Sequence, residues 1–88
     1  MPVQYDPKKA AANLKAHGVS FADAEVVLFD PLALTIEDLG AVGESRYVSV
    51  GLGGAGEVLV VVYTERDGDY RLISARRATR KERKSYEG

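Results

Sequence analysis

The sequence predicts an α+β domain: an antiparallel sheet with two N-terminal helices packed on one face and a short C-terminal helix. Three observations predict it. Residues 6–30 carry strong helix formers and two helix start signals. Residues 34–77 change to apolar runs and alternation, broken by Gly-containing turns. The last ten residues read as one polar helix behind a cap. The 88 residues leave room for one domain, 1–88, and 45% hydrophobic content is enough for one modest core.

Residues 3–6 read as a short edge strand. Asp6-Pro7 opens the first helix, because Asp caps well and Pro is tolerated at the first helical position. Residues 8–17 contain no β-branched side chain, and Gly18 ends the helix where a positive φ costs Gly little. Ser20 with Asp23 starts the second helix in the manner of a capping box. Phe21, Ala24, Val27 and Leu28 recur at helical spacing and should face the core, and Asp30-Pro31 stops the helix.

Leu34, Thr35 and Ile36 form a short strand, and residues 38–44, with two glycines and several acids, read as a loop. Residues 46–52 alternate, so Arg46, Val48, Val50 and Leu52 share a face. The glycines at 53, 54 and 56 make a turn. No helix follows them, so a hairpin fits better than a phosphate cradle. Residues 57–65 are apolar on both faces and read as a central strand. Asp67-Gly68 is a hairpin signal, so residues 70–76 should pair antiparallel with that strand. Thr79 and Glu82 match a capping box for a helix from Arg80 to about Tyr86, which has no apolar stripe and should lie on the surface or dock on a partner.

Composition excludes several classes. Without cysteine there is no disulfide, thiolate metal site or cysteine nucleophile, and one histidine makes no His-pair metal site. His17 lies in a last helical turn, where the helix dipole favours a cation, a structural placement. No apolar run approaches the ~18 residues of a membrane span, and the start MPVQYDPKK lacks the apolar stretch of a signal peptide. A cytoplasmic protein without metal or cofactor is the expectation. Net charge is −1, but its distribution is uneven: residues 1–65 hold 4 basic and 9 acidic side chains, and residues 66–88 hold 8 and 4. A basic C-terminal third suggests a surface that faces a polyanion.

The available chemistry is therefore that of Arg, Lys, Glu and Tyr. These side chains can run RNA cleavage by the substrate's own 2′-hydroxyl, which needs a base, an acid and cations around the phosphorus. Guanidinium groups bind phosphate bidentately. Arg76 stands at a strand end just before a basic helix start, and Arg77 points to the opposite face. Glu44 and Arg46 stand at the start of another strand, and Tyr63 and Glu65 share a face of the central strand.

In order along nearly the whole chain, Asp6-Pro7-Lys8-Lys9-Ala10, Asn13-Leu14, His17-Gly18-Val19-Ser20-Phe21, Asp30-Pro31-Leu32-Ala33-Leu34, Arg46-Tyr47, Val61-Val62-Tyr63-Thr64-Glu65-Arg66, Ile73-Ser74-Ala75-Arg76 and Lys81-Glu82-Arg83 resemble the BrnT-type toxins, small ribonucleases with a RelE-like fold. The resemblance implies a toxin of a type II toxin–antitoxin module that cleaves RNA without a metal and inhibits translation and growth. It implies neutralisation by a ribbon-helix-helix antitoxin in a 2:2 heterotetramer that reaches operator DNA only through the antitoxin. On this reading Arg76 stabilises phosphate, Glu65 or Glu44 is the base, and Lys8 or Arg46 gives charge support or donates the proton, with Tyr63 beside them. Lys9, Arg80, Lys81, Arg83 and Tyr86 would contact RNA. Two positions depart from the family pattern: Tyr5 replaces a Trp, keeping an aromatic face, and Ala16 replaces a basic residue, removing one charge from helix one. The alternatives are a catalytically inactive antitoxin-binding co-repressor and a plain RNA-binding module.

Overall fold

The computed structural model describes residues 2–38 and 45–88. Among these residues eight elements follow one another: β1 (Val3–Gln4), α1 (Pro7–His17), α2 (Phe21–Val27), β2 (Leu34–Asp38), β3 (Arg46–Leu52), β4 (Val58–Arg66), β5 (Asp69–Arg77) and α3 (Arg80–Glu87). This is the expected order. The loop expected over residues 38–44, and Glu44 with it, lies outside the described residues, except that Asp38 closes β2.

The five strands form one sheet in the order β1-β5-β4-β3-β2. Four of them pair antiparallel, but β1 runs parallel to β5, with Val3 opposite Tyr70. The sheet is therefore mixed, which corrects the antiparallel expectation. A tight turn dictates antiparallel pairing only between strands that it joins. β1 is followed by two helices that carry the chain to the far edge, so no hairpin fixes its direction.

The start and stop signals act as written. Asp6 accepts from the Lys8 amide, Gly18 ends α1 at φ 69°, and the Ser20 hydroxyl accepts from the Asp23 amide. At the β4–β5 turn Asp67 and Gly68 both hold positive φ, 53° and 84°, as a type I′ hairpin requires. The β3–β4 turn closes with the Gly53 amide on the Glu57 carbonyl at 2.8 Å. A Cβ at Gly53 would come within 2.5 Å of Leu59 Cδ1, so glycine there answers to packing.

α1 and α2 cover one face of the sheet. The core lies between Val19, Phe21, Ala24 and Val27 above and Leu59, Val61, Tyr63, Leu72 and Ala75 below, all buried. Leu72 and Ala75 both reach this layer although three positions apart, because the register shifts beside Val62 and Tyr63 and leaves Ile73 extra. Asn13 is the one buried polar residue of α1. Its amide donates to the carbonyls of Val19 and Ala75 and accepts from the Ala75 amide, at 3.0, 2.8 and 3.0 Å. It thus completes the edge of β5 where β1 has ended.

α3 buries no residue, and among the described residues side chains hold it at two points. Arg76, on the face opposite α1, grips Glu82. Tyr86 donates to Asp30, whose carboxylate also accepts from the amides of Leu32 and Leu52. Among the described residues no helix is long and apolar enough to cross a membrane.

Candidate functional site

The two hairpins bring different side chains to the two faces at the C-terminal end of β4. On the face shared with the helices, Tyr47 lies opposite Tyr63 and Tyr70 lies opposite Glu65. Tyr47 and Tyr63 stack with ring centroids 5.7 Å apart, and Tyr70 meets Tyr63 edge-on at 5.2 Å. With Thr35 and Glu65 these rings line a cavity of about 180 Å³. A hydroxyl chain lies beneath it: Ser49 Oγ is 2.7 Å from Thr35 Oγ1 and 2.9 Å from Tyr63 Oη. Burial, then the neighbouring Tyr63, Glu65 and Tyr47, push the Tyr70 phenol up. Among the described residues the Glu65 carboxylate accepts no hydrogen bond.

On the opposite face at the same strand end, Thr64 sits between Arg46 on β3 and Arg71 on β5. Thr64 Oγ1 and Arg46 Nε are both buried and have no hydrogen-bond partner among the described residues. Buried polar atoms are rarely left so, because desolvation without a partner costs about 1–3 kcal/mol. The rim of the sheet thus carries an aromatic, carboxylate-bearing cavity on one side and guanidinium groups on the other.

The sequence-predicted residues fall into separate groups. Tyr63 and Glu65 line the ring cavity, and Arg46 lies on the other face of the same rim. Arg76 lies opposite Val60, four residues along β4 from Thr64, which sets it about 13 Å from the rim along the strand. There its guanidinium makes a bidentate pair with Glu82, 2.8 and 2.9 Å. The hydrogen bond from Arg76 and the Thr79 amide lower the Glu82 carboxyl to about 2, and Glu82 in turn raises Arg76. Arg80, Lys81 and Arg83 are exposed on α3 around this pair, and Tyr86 anchors the end of the helix on Asp30. Arg77 is structural: it binds Glu57 at 2.8 Å and donates to the His17 carbonyl at 3.0 Å. Lys8 and Lys9 lie exposed in the first turn of α1, with Lys9 beside a shallow hollow over Asn13, His17 and Ile73. Glu44 is outside the described residues.

Sequence reasoning did not single out Tyr47, Tyr70 and Thr35. A signal existed: counting outward from each hairpin pairs Tyr47 with Tyr63 and Glu65 with Tyr70. Among the described residues no group of three or more His, Cys, Asp or Glu side chains is placed to hold a metal ion.

A family model described as the ribonuclease toxin BrnT of type II toxin–antitoxin systems matches residues 5–82. Among solved structures, the Brucella abortus ribonuclease toxin BrnT matches with a TM-score of 0.72 at 23% identity, covering 91% of this chain and 99% of that one. At that identity the likeness is one of fold. No match to a curated protein sequence was found.

Proposed function

The chain belongs to the BrnT family of ribonuclease toxins of type II toxin–antitoxin systems, and from that premise we propose how it cuts RNA and how it is held off. The reaction is metal-independent transesterification. A carboxylate takes the proton of a 2′-hydroxyl, and the oxygen attacks the adjacent phosphorus. The bond to the 5′-oxygen breaks with a proton delivered to it, leaving a 2′,3′-cyclic phosphate and a 5′-hydroxyl. Glu65 and Glu44 are the two carboxylates offered for the first proton. Arg46 at the rim stabilises the charge on phosphorus, and Arg76, further along the same face, holds a neighbouring phosphate of the strand. The observation that carries this reading is the guanidinium-bearing face, with Arg46 beside Thr64 at the rim and Arg76 further along it. Lys8 and Lys9 add positive charge from α1, and Arg80, Lys81, Arg83 and Tyr86 meet the RNA from α3.

The toxin acts in the cytoplasm, where cutting RNA inhibits translation and growth, and its architecture is RelE-like. A ribbon-helix-helix antitoxin neutralises it in a 2:2 complex, with an acidic segment laid over Arg76, Arg80 and Lys81. The exposed basic side chains of α3 support that contact.

The test is RNA cleavage by purified, antitoxin-free protein in EDTA, beside Arg76→Ala and Glu82→Gln. Wild type is expected to cut and a folded Arg76→Ala to lose activity. Glu82→Gln breaks the ion pair while keeping the guanidinium, so its activity separates the phosphate role of Arg76 from its hold on α3. If wild type cuts no naked RNA and its induction leaves growth unaffected, the protein is an antitoxin-binding co-repressor instead.

A further inference from the structure

We infer that the cavity lined by Thr35, Tyr47, Tyr63, Glu65 and Tyr70 is a nucleobase pocket that selects guanine, with Glu65 as the reading group. The inference rests on the ribonuclease reading and deepens it by naming the base beside the cut.

Size comes first. The cavity holds about 180 Å³, below the roughly 300–1,000 Å³ of pockets for drug-sized ligands. It suits one planar heterocycle. Its walls are the second point. Tyr47 and Tyr70 flank Tyr63, and both present ring surface that the core does not cover fully. Unstacked RNA bases are held by such aromatic faces. Selectivity comes third. Stacking is tolerant of sequence, so a polar group must discriminate. An ionised carboxylate only accepts hydrogen bonds. Guanine alone offers two adjacent donors, N1–H and N2–H, on its pairing edge. Adenine and cytosine each offer one donor beside a ring nitrogen acceptor, and uracil offers one donor between two carbonyls. Acceptors facing a carboxylate repel. Glu65 is exposed at the cavity and its carboxylate accepts no hydrogen bond among the described residues, whereas Tyr63 is already committed to Ser49.

The geometry also joins the two faces of the rim. A base seated against Tyr47 and Tyr70 leaves its sugar and phosphate at the strand end. Arg46 and Arg71 flank Thr64 there on the far side. With Glu65 reading the base, the 2′-hydroxyl proton is left to Glu44, the other carboxylate offered for it.

The experiment uses antitoxin-free protein and the four nucleoside 3′-monophosphates, with calorimetric affinities. In parallel, cleavage is mapped on oligoribonucleotides that differ at one base. Guanosine 3′-monophosphate should bind roughly tenfold or more tighter than the other three, the scale of one bidentate base contact. Cuts should fall beside guanine. In Glu65→Gln the side chain becomes one acceptor and one donor, so preference should move from guanine to adenine or cytosine. A structural role, or a role as general base, would not produce that exchange. Equal affinity for the four nucleotides, or an unchanged guanine preference in a folded Glu65→Gln, overturns the inference. RNA cleavage without base preference sinks the pocket and leaves the nuclease reading standing. Guanine-selective binding without cleavage does the reverse.

Discussion

Arg76 and Glu82 form a fork-to-fork ion pair, with Nη1 on Oε1 at 2.8 Å and Nη2 on Oε2 at 2.9 Å. Glu82 also accepts from the Thr79 amide at 2.8 Å, so one carboxylate both caps α3 and fastens it to β5. The side chains stay 44% and 30% exposed, so solvent screens the pair, and its contribution lies near the low end for ion pairs.

The carboxyl of Glu82 is lowered from 4.5 to about 2. A carboxyl depressed in the folded state contributes stability above its unfolded value and loses it as pH falls through the folded one. The docking of α3 should therefore be complete above pH 4.5 and weaken progressively toward pH 2. Amide chemical shifts of residues 79–87 against pH check this, and Glu82→Gln should already show the weakened state at neutral pH.

Asn13→Ala should cost about 2–4 kcal/mol, because the Ala75 amide and carbonyl and the Val19 carbonyl would be left buried without it. The denaturant midpoint of the antitoxin-free protein measures it. Asn13→Asp tests the arrangement further: it keeps the acceptor for the Ala75 amide but removes both donors.

Asp30→Ala should loosen three places at once, the turn at Leu32, the end of β3 at Leu52 and the end of α3 at Tyr86. The Leu52 amide, then Tyr86, holds this carboxyl below its ordinary value. A loss of about 1–2 kcal/mol is expected. Tyr86→Phe should loosen α3 alone, and hydrogen exchange of α3 and β3 amides separates the two variants.

Replacing Arg80 and Lys81 by Ala should weaken RNA binding and flatten its salt dependence. If each side chain neutralises one phosphate of a single strand, the slope of log affinity against log salt falls by about 0.7 per residue. Charge reversal at the same positions should lower antitoxin affinity. Titrations across ionic strength test both.

Most of the fold was legible because it rests on local chemistry. Asp6, Gly18, Ser20, Asp67-Gly68 and Thr79 each act through neighbours within a few residues. The direction of β1 was not legible, because long-range packing sets it and no turn does. The extra residue at Ile73 breaks the two-residue period, so simple alternation does not reveal that Leu72 and Ala75 share the core. At the site, Tyr63 and Glu65 were visible as one face of a strand. Their partners Tyr47 and Tyr70 emerge only once both hairpin registers are applied together. The grip of Glu82 on Arg76 spans six residues and depends on where α3 turns back, which composition does not determine.

The side-chain amide of Asn13 bears on how copies of this chain meet. By occupying the main-chain groups of Ala75, it removes the longer part of one sheet border from strand pairing, and β1 borders the rest with only two residues. The other border, β2, carries Leu34 and Ile36 at 46% and 67% exposure. Open-ended growth of a fibre by strand addition needs two adhesive borders per subunit. Among the described residues one border has useful length, so edge-to-edge association through it closes after a single pairing.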